Sequence, residues 1–253
     1  MAIDPWSFPK PQQPVFAHPA EERAHNKRVA AAAFRLFYKA GFEEGVMGHL
    51  SFRDPEFPDQ FWLNPFSVSF NHIRASDLLR VSLEDGRLLE GQGYQHPGGI
   101  PLHAAIYAEC PEVKAVAHTH SPYGKAFSTL GVPLAPISTE AAVFYEGHSL
   151  YDSFAHGEGI QLGKAAKGNK AVIMKTHGIL TVGSTVEETA YLFFSLEKVC
   201  KEQLLVRAVT DQPELVPPQH ARRIAAFSGP YQGWLNFQPT YQAILRDQPD
   251  LVD

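Results

Sequence analysis

Only two cysteines, Cys110 and Cys200, occur in 253 residues, too few for a disulfide framework. Each falls in an expected helix, which reads as a buried free thiol. No stretch approaches the ~18 continuous apolar residues that span a bilayer, so no membrane partner is expected. Basic runs are missing as well: 22 Lys and Arg stand against 27 Asp and Glu, a formal net charge of -5, and this excludes a nucleic-acid partner. The opening residues Met1-Ala2-Ile3-Asp4-Pro5-Trp6 carry neither a basic nor an apolar segment, and the expected location is the cytoplasm. There is no internal repeat and no low-complexity block. What remains is an ordinary composition, 44% hydrophobic and 19% charged, enough for one large domain with a core of its own.

Proline is plentiful at the start. Pro5, Pro9, Pro11 and Pro14 mark residues 1–18 as an extended arm. Pro19 then opens a helix with Glu21 and Glu22 in its first turn and Val29, Ala32, Ala33, Leu36 and Phe37 on one face. Gly41 closes it. From Gly48 the period shortens to two. Residues 49–53 and 61–64 form an expected hairpin, and 79–83 and 87–90 a second one about Asp85-Gly86. A glycine-rich loop over 91–99 precedes a helix over 101–109. A strand leads into His118 and His120, followed by helices over 123–130 and 157–166. Strands over 170–175 and 179–182 come next. Thr185-Val186-Glu187-Glu188 is a capping box, opening the longest helix, about 186–208. Residues 211–253 form an extension whose aromatics (Trp234, Phe237, Tyr241) pack on the domain or on a neighbouring copy. Helices interleave with antiparallel hairpins, so the expected class is α/β with a mainly antiparallel sheet.

The chemistry concentrates in Val116-Ala117-His118-Thr119-His120-Ser121. Histidines at i and i+2 on a strand leave it on one face, and two imidazoles on one face are half of a transition-metal site. His177, in Thr176-His177-Gly178 at the end of another strand, supplies a third from a second rigid element. Gly157-Glu158-Gly159-Ile160-Gln161-Leu162-Gly163 looks like a dinucleotide loop, but its last glycine is one place late and no strand precedes it, so it is rejected.

Gly48-His49-Leu50-Ser51, Asn64-Pro65-Phe66-Ser67, Ser76-Asp77-Leu78, His118-Thr119-His120-Ser121, residues 176–183 and the helix around Leu196-Glu197-Lys198 together resemble the class II aldolase/adducin superfamily over about residues 26–206. The resemblance implies a three-layer α/β/α sandwich over 19–210. It also implies a homotetramer, a small-molecule substrate, and one divalent transition metal ion, Zn2+ or Fe2+, on His118, His120 and His177. Two departures stand out. With His103 in register, the catalytic glutamate of the sugar-phosphate aldolases falls on Gly99. The segments that hold phosphate in those enzymes read Gly48-His49 and Asn64-Pro65-Phe66-Ser67 here. The expected activity is therefore a metal-dependent carbon–carbon lyase, aldolase- or decarboxylase-like, on a non-phosphorylated carbonyl or carboxylate substrate. Glu140, Tyr145 and His49 are the candidate acid/base groups, with Tyr151 as a further donor. A second expectation follows from a branch similar to the aminocoumarin-type oxygenases: a non-haem iron(II) dioxygenase acting on an aryl or keto acid, with Phe52, Trp62, Phe66, Phe70 and Phe144 about the substrate. A third is a non-catalytic adducin-like interaction module.

Overall fold

A computed structural model describes residues 9–152 and 159–253 of the chain. Helix α1 (Pro19–Lys39) has proline and two acids in its first turn, both favourable to the amide-rich end, and buries an alanine-rich face with Phe34 and Phe37. Strands β1 (His49–Arg53), β2 (Gln60–Leu63), β3 (Leu79–Ser82) and β4 (Leu88–Glu90) follow. Helix α2 (Gly99–Glu109) then leads to β5 (Ala115–Thr119) and α3 (Pro122–Ser128). After α4 (Thr139–Ala142) come β6 (His148–Tyr151), α5 (Ile160–Ala166), β7 (Ala171–Met174) and β8 (Gly178–Gly183). The chain ends with α6 (Val186–Arg207), α7 (Pro218–Phe227) and α8 (Pro230–Asp247).

The eight strands form one sheet in the order β4-β3-β2-β1-β5-β8-β7-β6. All pairs are antiparallel except β6 with β7, so the mainly antiparallel α/β class holds. Both faces are covered. Alternation along β5 sends Ala115 and Ala117 into the core shared with α1, α6 and α8, while Val116 enters the core shared with α2 and α5. Cys110 and Cys200 are buried free thiols. Cys110 sits one residue past the end of α2 rather than inside it. No helix among the described residues is long and apolar enough to cross a membrane.

Several boundaries shift. Helix α2 starts at Gly99, two residues before the proline expected to open it. The helix expected over 157–166 is α5 from Ile160, and residues 157 and 158 lie outside the described residues. Strand β6 was not expected, because three of its four residues are only partly buried and it carries no apolar run. Nor were α7 and α8: Pro239 lies inside α8, where proline normally argues against a helix. The buried face of α8, with Trp234, Phe237, Tyr241 and Ile244, outweighs that cost, and Phe237, Tyr241 and Ile244 join the core of α1 and α6.

One buried ion pair ties α1 to the β1–β2 loop. Arg23 donates two hydrogen bonds to Asp54, at 2.7 and 2.8 Å. Trp62 donates a third at 2.7 Å, and the backbone N–H groups of Glu56 and Phe57 add two more. Burial pushes the Asp54 carboxyl up, but these donors outweigh it and hold the group at about 2, against an ordinary 3.8. A folded value below the unfolded one means that the pair's stabilisation is full above about pH 4 and is lost as pH falls from there towards 2. Asp54→Asn is expected to remove about 2 kcal/mol of acid-dependent stability. Urea midpoints measured from pH 5 to pH 2 check this; parallel pH profiles for wild type and variant would refute it.

Candidate metal centre

Strand β5 runs through the middle of the sheet, with His118 opposite His49 on β1 and opposite Leu180 on β8. His118 shares its face with Val116, so it points towards α2. His120, just past the strand, keeps the same parity. His177 occupies the tight β7–β8 connection between Thr176 at φ 56° and Gly178 at φ 151°. A β-branched residue rarely adopts such a conformation, and the two positive-φ residues turn His177 back over the end of β5.

The result is a cluster. One ring nitrogen from each of His118, His120 and His177 lies within 4.8 Å of the others, and His120 Nε2 and His177 Nε2 are 3.1 Å apart. The Nδ1 of His118 is 2.8 Å from the Ile179 carbonyl. A carbonyl only accepts, so that nitrogen carries the proton and Nε2 keeps its lone pair. Burial, then the neighbouring His177, depress the pKa of both His118 and His120, and neutral imidazole is the form that binds metal. Glu44 stands 3.9 Å from His120 Nδ1 and is paired with Lys125. The donor set fits a divalent ion of borderline softness such as Zn2+ or Fe2+.

The turn that follows His120 is held from below. Glu197 on α6 is buried and accepts hydrogen bonds from Ser121 Oγ at 2.6 Å, Tyr123 N at 2.7 Å and Gly124 N at 2.6 Å. A carboxylate at the start of α3 satisfies amides that the helix itself leaves free.

The cluster opens on a cavity of about 260 Å³ lined by five histidines (His49, His96, His118, His120 and His177) with Met47 and Leu102 on its apolar side. His96 was not singled out from the sequence, and in a glycine-rich loop it had no periodicity to mark it. Its Nδ1 accepts from Gly99 N at 2.9 Å, and its ring meets Phe66 edge-on at 5.0 Å. His49 and His96 explain Gly99. A Cβ there would lie 2.8 Å from His49 Cδ2 and 3.2 Å from His96 Cγ, so the space of any longer side chain is already filled by imidazole. Behind His49, burial holds His103 down to about 3 and pushes the Tyr107 phenol up.

The other expected site residues lie elsewhere in the chain. Glu140 is exposed on α4, with Thr139 donating to its carboxylate at 2.8 Å. The Arg222 guanidinium lies 5.8 Å from the ring centre of Tyr145, and Tyr151 packs in the core of α2 and α5. None of the three lines the histidine cavity. Phe52, Trp62, Phe70 and Phe144, expected about the substrate, are core residues no more than 3% exposed. Phe52 and Trp62 are strand residues, Phe70 and Phe144 are not, and all four pack into the core that α1 and α6 cover. Of the five aromatics, Phe66 alone touches a cavity histidine.

A family model described as the class II aldolase and adducin N-terminal domain matches residues 28–204, and the chain belongs to this family. It is 37% identical to decarboxylase NovR of Streptomyces niveus over 95% of this chain and 92% of that protein. It is 36% identical to the 4-hydroxy-3-prenylphenylpyruvate oxygenase/4-hydroxy-3-prenylbenzoate synthase of Streptomyces roseochromogenus subsp. oscitans, over 94% and 88%. Among solved structures, an L-fuculose 1-phosphate aldolase from Glaciozyma antarctica PI12 superposes with a TM-score of 0.88 at 36% identity, covering 95% of this chain and 96% of that one. Relatives of this kind, matched over nearly their whole length, support an enzyme.

Proposed function

We propose that this enzyme cleaves a carbon–carbon bond next to a carbonyl or carboxylate of a non-phosphorylated acid, in an aldolase- or decarboxylase-like reaction, at a divalent transition metal ion held by His118, His120 and His177. The convergence of three imidazoles on one cavity carries the reading. Bound there, the ion would act as a Lewis acid on a substrate oxygen. The chain's own residues do the rest. Val46 O holds the His96 ring by its Nε2, at 3.1 Å, and His96 in turn fixes the start of α2. His49 lines the cavity beside the cluster and contacts the substrate. The changed segments Gly48-His49 and Asn64-Pro65-Phe66-Ser67, which hold phosphate in the sugar-phosphate aldolases that the chain resembles, favour a non-phosphorylated substrate. The partners are that small molecule and further copies of the chain in a tetramer.

A second reading is a non-haem iron(II) dioxygenase on an aryl or keto acid. It is favoured by the cavity lining, which contains no carboxylate, and by the oxygenase among the relatives. The test is elemental analysis of protein purified without added metal, followed by carbon dioxide release and oxygen uptake with aryl 2-oxo and 2-hydroxy acids. Carbon–carbon cleavage by zinc-filled protein without oxygen uptake would remove the oxygenase reading. Oxygen consumed in step with product would establish it. No cleavage of any such acid by metal-loaded protein overturns both.

A further inference from the structure

A buried chain of hydrogen bonds leads away from the cavity and ends in the protein interior. His49 Nδ1 is 2.6 Å from His103 Nε2. The other nitrogen of His103 meets Ser51 Oγ, and Ser51 Oγ is 2.8 Å from the Tyr107 hydroxyl. All four residues are buried. His49 and Ser51 are two apart on β1, on one strand face. His103 and Tyr107 are four apart on α2, on one helix face. The two periodicities bring the four polar groups into line.

Counting protons gives the line a direction. Among the described residues, Ser51 is the one hydrogen-bond partner of the Tyr107 hydroxyl. If the phenol accepted from Ser51, its own O–H would be buried without an acceptor, and an orphaned donor bears its full desolvation cost. The phenol therefore donates to Ser51. Ser51 then spends its single proton on His103 Nδ1. Neutral His103 has one proton left, on Nε2, and donates it to His49 Nδ1. The proton of neutral His49 is on Nε2. The Cγ–Cδ2 edge of that ring is against Gly99, and the ring lines the cavity.

We propose that Ser51, backed by Tyr107, is a positioning residue that fixes His49 in the tautomer whose Nε2–H faces the cavity, so that His49 serves the substrate as a hydrogen-bond donor. The group it recognises is then an acceptor, a carboxylate or carbonyl oxygen. The identity of that oxygen rests on the acid substrate proposed above, whereas the tautomer does not. The arrangement sets a donor beside imidazole lone pairs, and it selects against a ligand that presents an ammonium or another donor at that point.

The test is long-range 15N–1H correlation on the full chain with 15N-labelled histidine, metal-free and without substrate, the His49 signals being assigned by their loss in His49→Gln. In wild type, Nε2 of His49 is expected to give the low-frequency signal of a protonated ring nitrogen and Nδ1 the high-frequency signal of a bare one. Tyr107→Phe is expected to keep this pattern, because Ser51 still donates. The double variant Ser51→Ala/Tyr107→Phe removes both hydroxyls, and the two His49 signals are expected to move towards each other as both tautomers populate. A wild-type His49 protonated on Nδ1 overturns the proposal, with no need for any variant to fold. So does a double variant that retains the wild-type pattern. Because the measurement needs neither metal nor turnover, failure of the proposed reaction leaves its outcome readable.

Discussion

Replacing His118 with alanine is expected to empty the metal centre, with content falling from about one ion per chain to nearly none by elemental analysis. His118 is the best-fixed of the three ligands. It is buried on the central strand with its Nδ1 bound to the Ile179 carbonyl, so its Nε2 needs no reordering to bind. A site left with His120 and His177 loses its most rigid donor and gains a void in its floor. Lewis-acid stabilisation of several kcal/mol goes with the ion, and at about 1.4 kcal/mol per factor of ten this is about a thousand-fold loss of activity. Stability should fall less, because the strand pairs of β5 with β1 and β8 do not depend on the ring. Unchanged metal content in a folded His118→Ala protein would refute the assignment of the site.

Gly99→Ala is the second large effect. One methyl group is added, yet it would stand 2.8 Å from His49 Cδ2 and 2.9 Å from His49 Cγ, closer than carbon atoms approach without something moving. His49 is the piece able to give. Its displacement would break the 2.6 Å contact with His103 and carry its ring across the cavity. Overpacking of this kind costs about 1–3 kcal/mol of stability, and misplacing a positioned group by about 1 Å can cost about a hundred-fold in rate. The expected result is a folded protein with full metal content and turnover reduced by about that factor. Unaltered turnover and an unaltered His49 spectrum in Gly99→Ala would show that the cavity wall yields elsewhere. For the same reason, putting glutamate at Gly99 is not expected to create a sugar-phosphate aldolase, since the space is taken.

The sheet and the histidine cluster were legible because their signals are local. His118 and His120 keep the strand period, and Thr176-His177-Gly178 closes a buried strand. The resemblance over six short motifs placed the two halves together, and the matching family model spans the same stretch. Elsewhere longer-range packing decided which residues meet. Glu140 follows the His-Thr-His segment in the chain, yet it stands exposed on α4 and does not line the histidine cavity. The flanking aromatics looked like a substrate wall because their place in the chain does not reveal that both sheet faces are covered. Pro239 hid α8, whose aromatic face finds its partners only in the tertiary structure. His96 had no pattern at all, and only the start of α2 gives it a place.

The bond between Glu197 and the turn of Ser121, Tyr123 and Gly124 has a mechanical consequence. Active-site loops usually open more readily than the core beneath them. Here the loop bearing His120 is fastened to the longest helix by a buried carboxylate with three donors, so it forms part of the same cooperative unit as that helix. Local opening of the centre is thereby suppressed: the floor of the cavity melts with the domain rather than ahead of it. Met47, which lines the cavity and is exposed, marks the side on which its wall meets solvent.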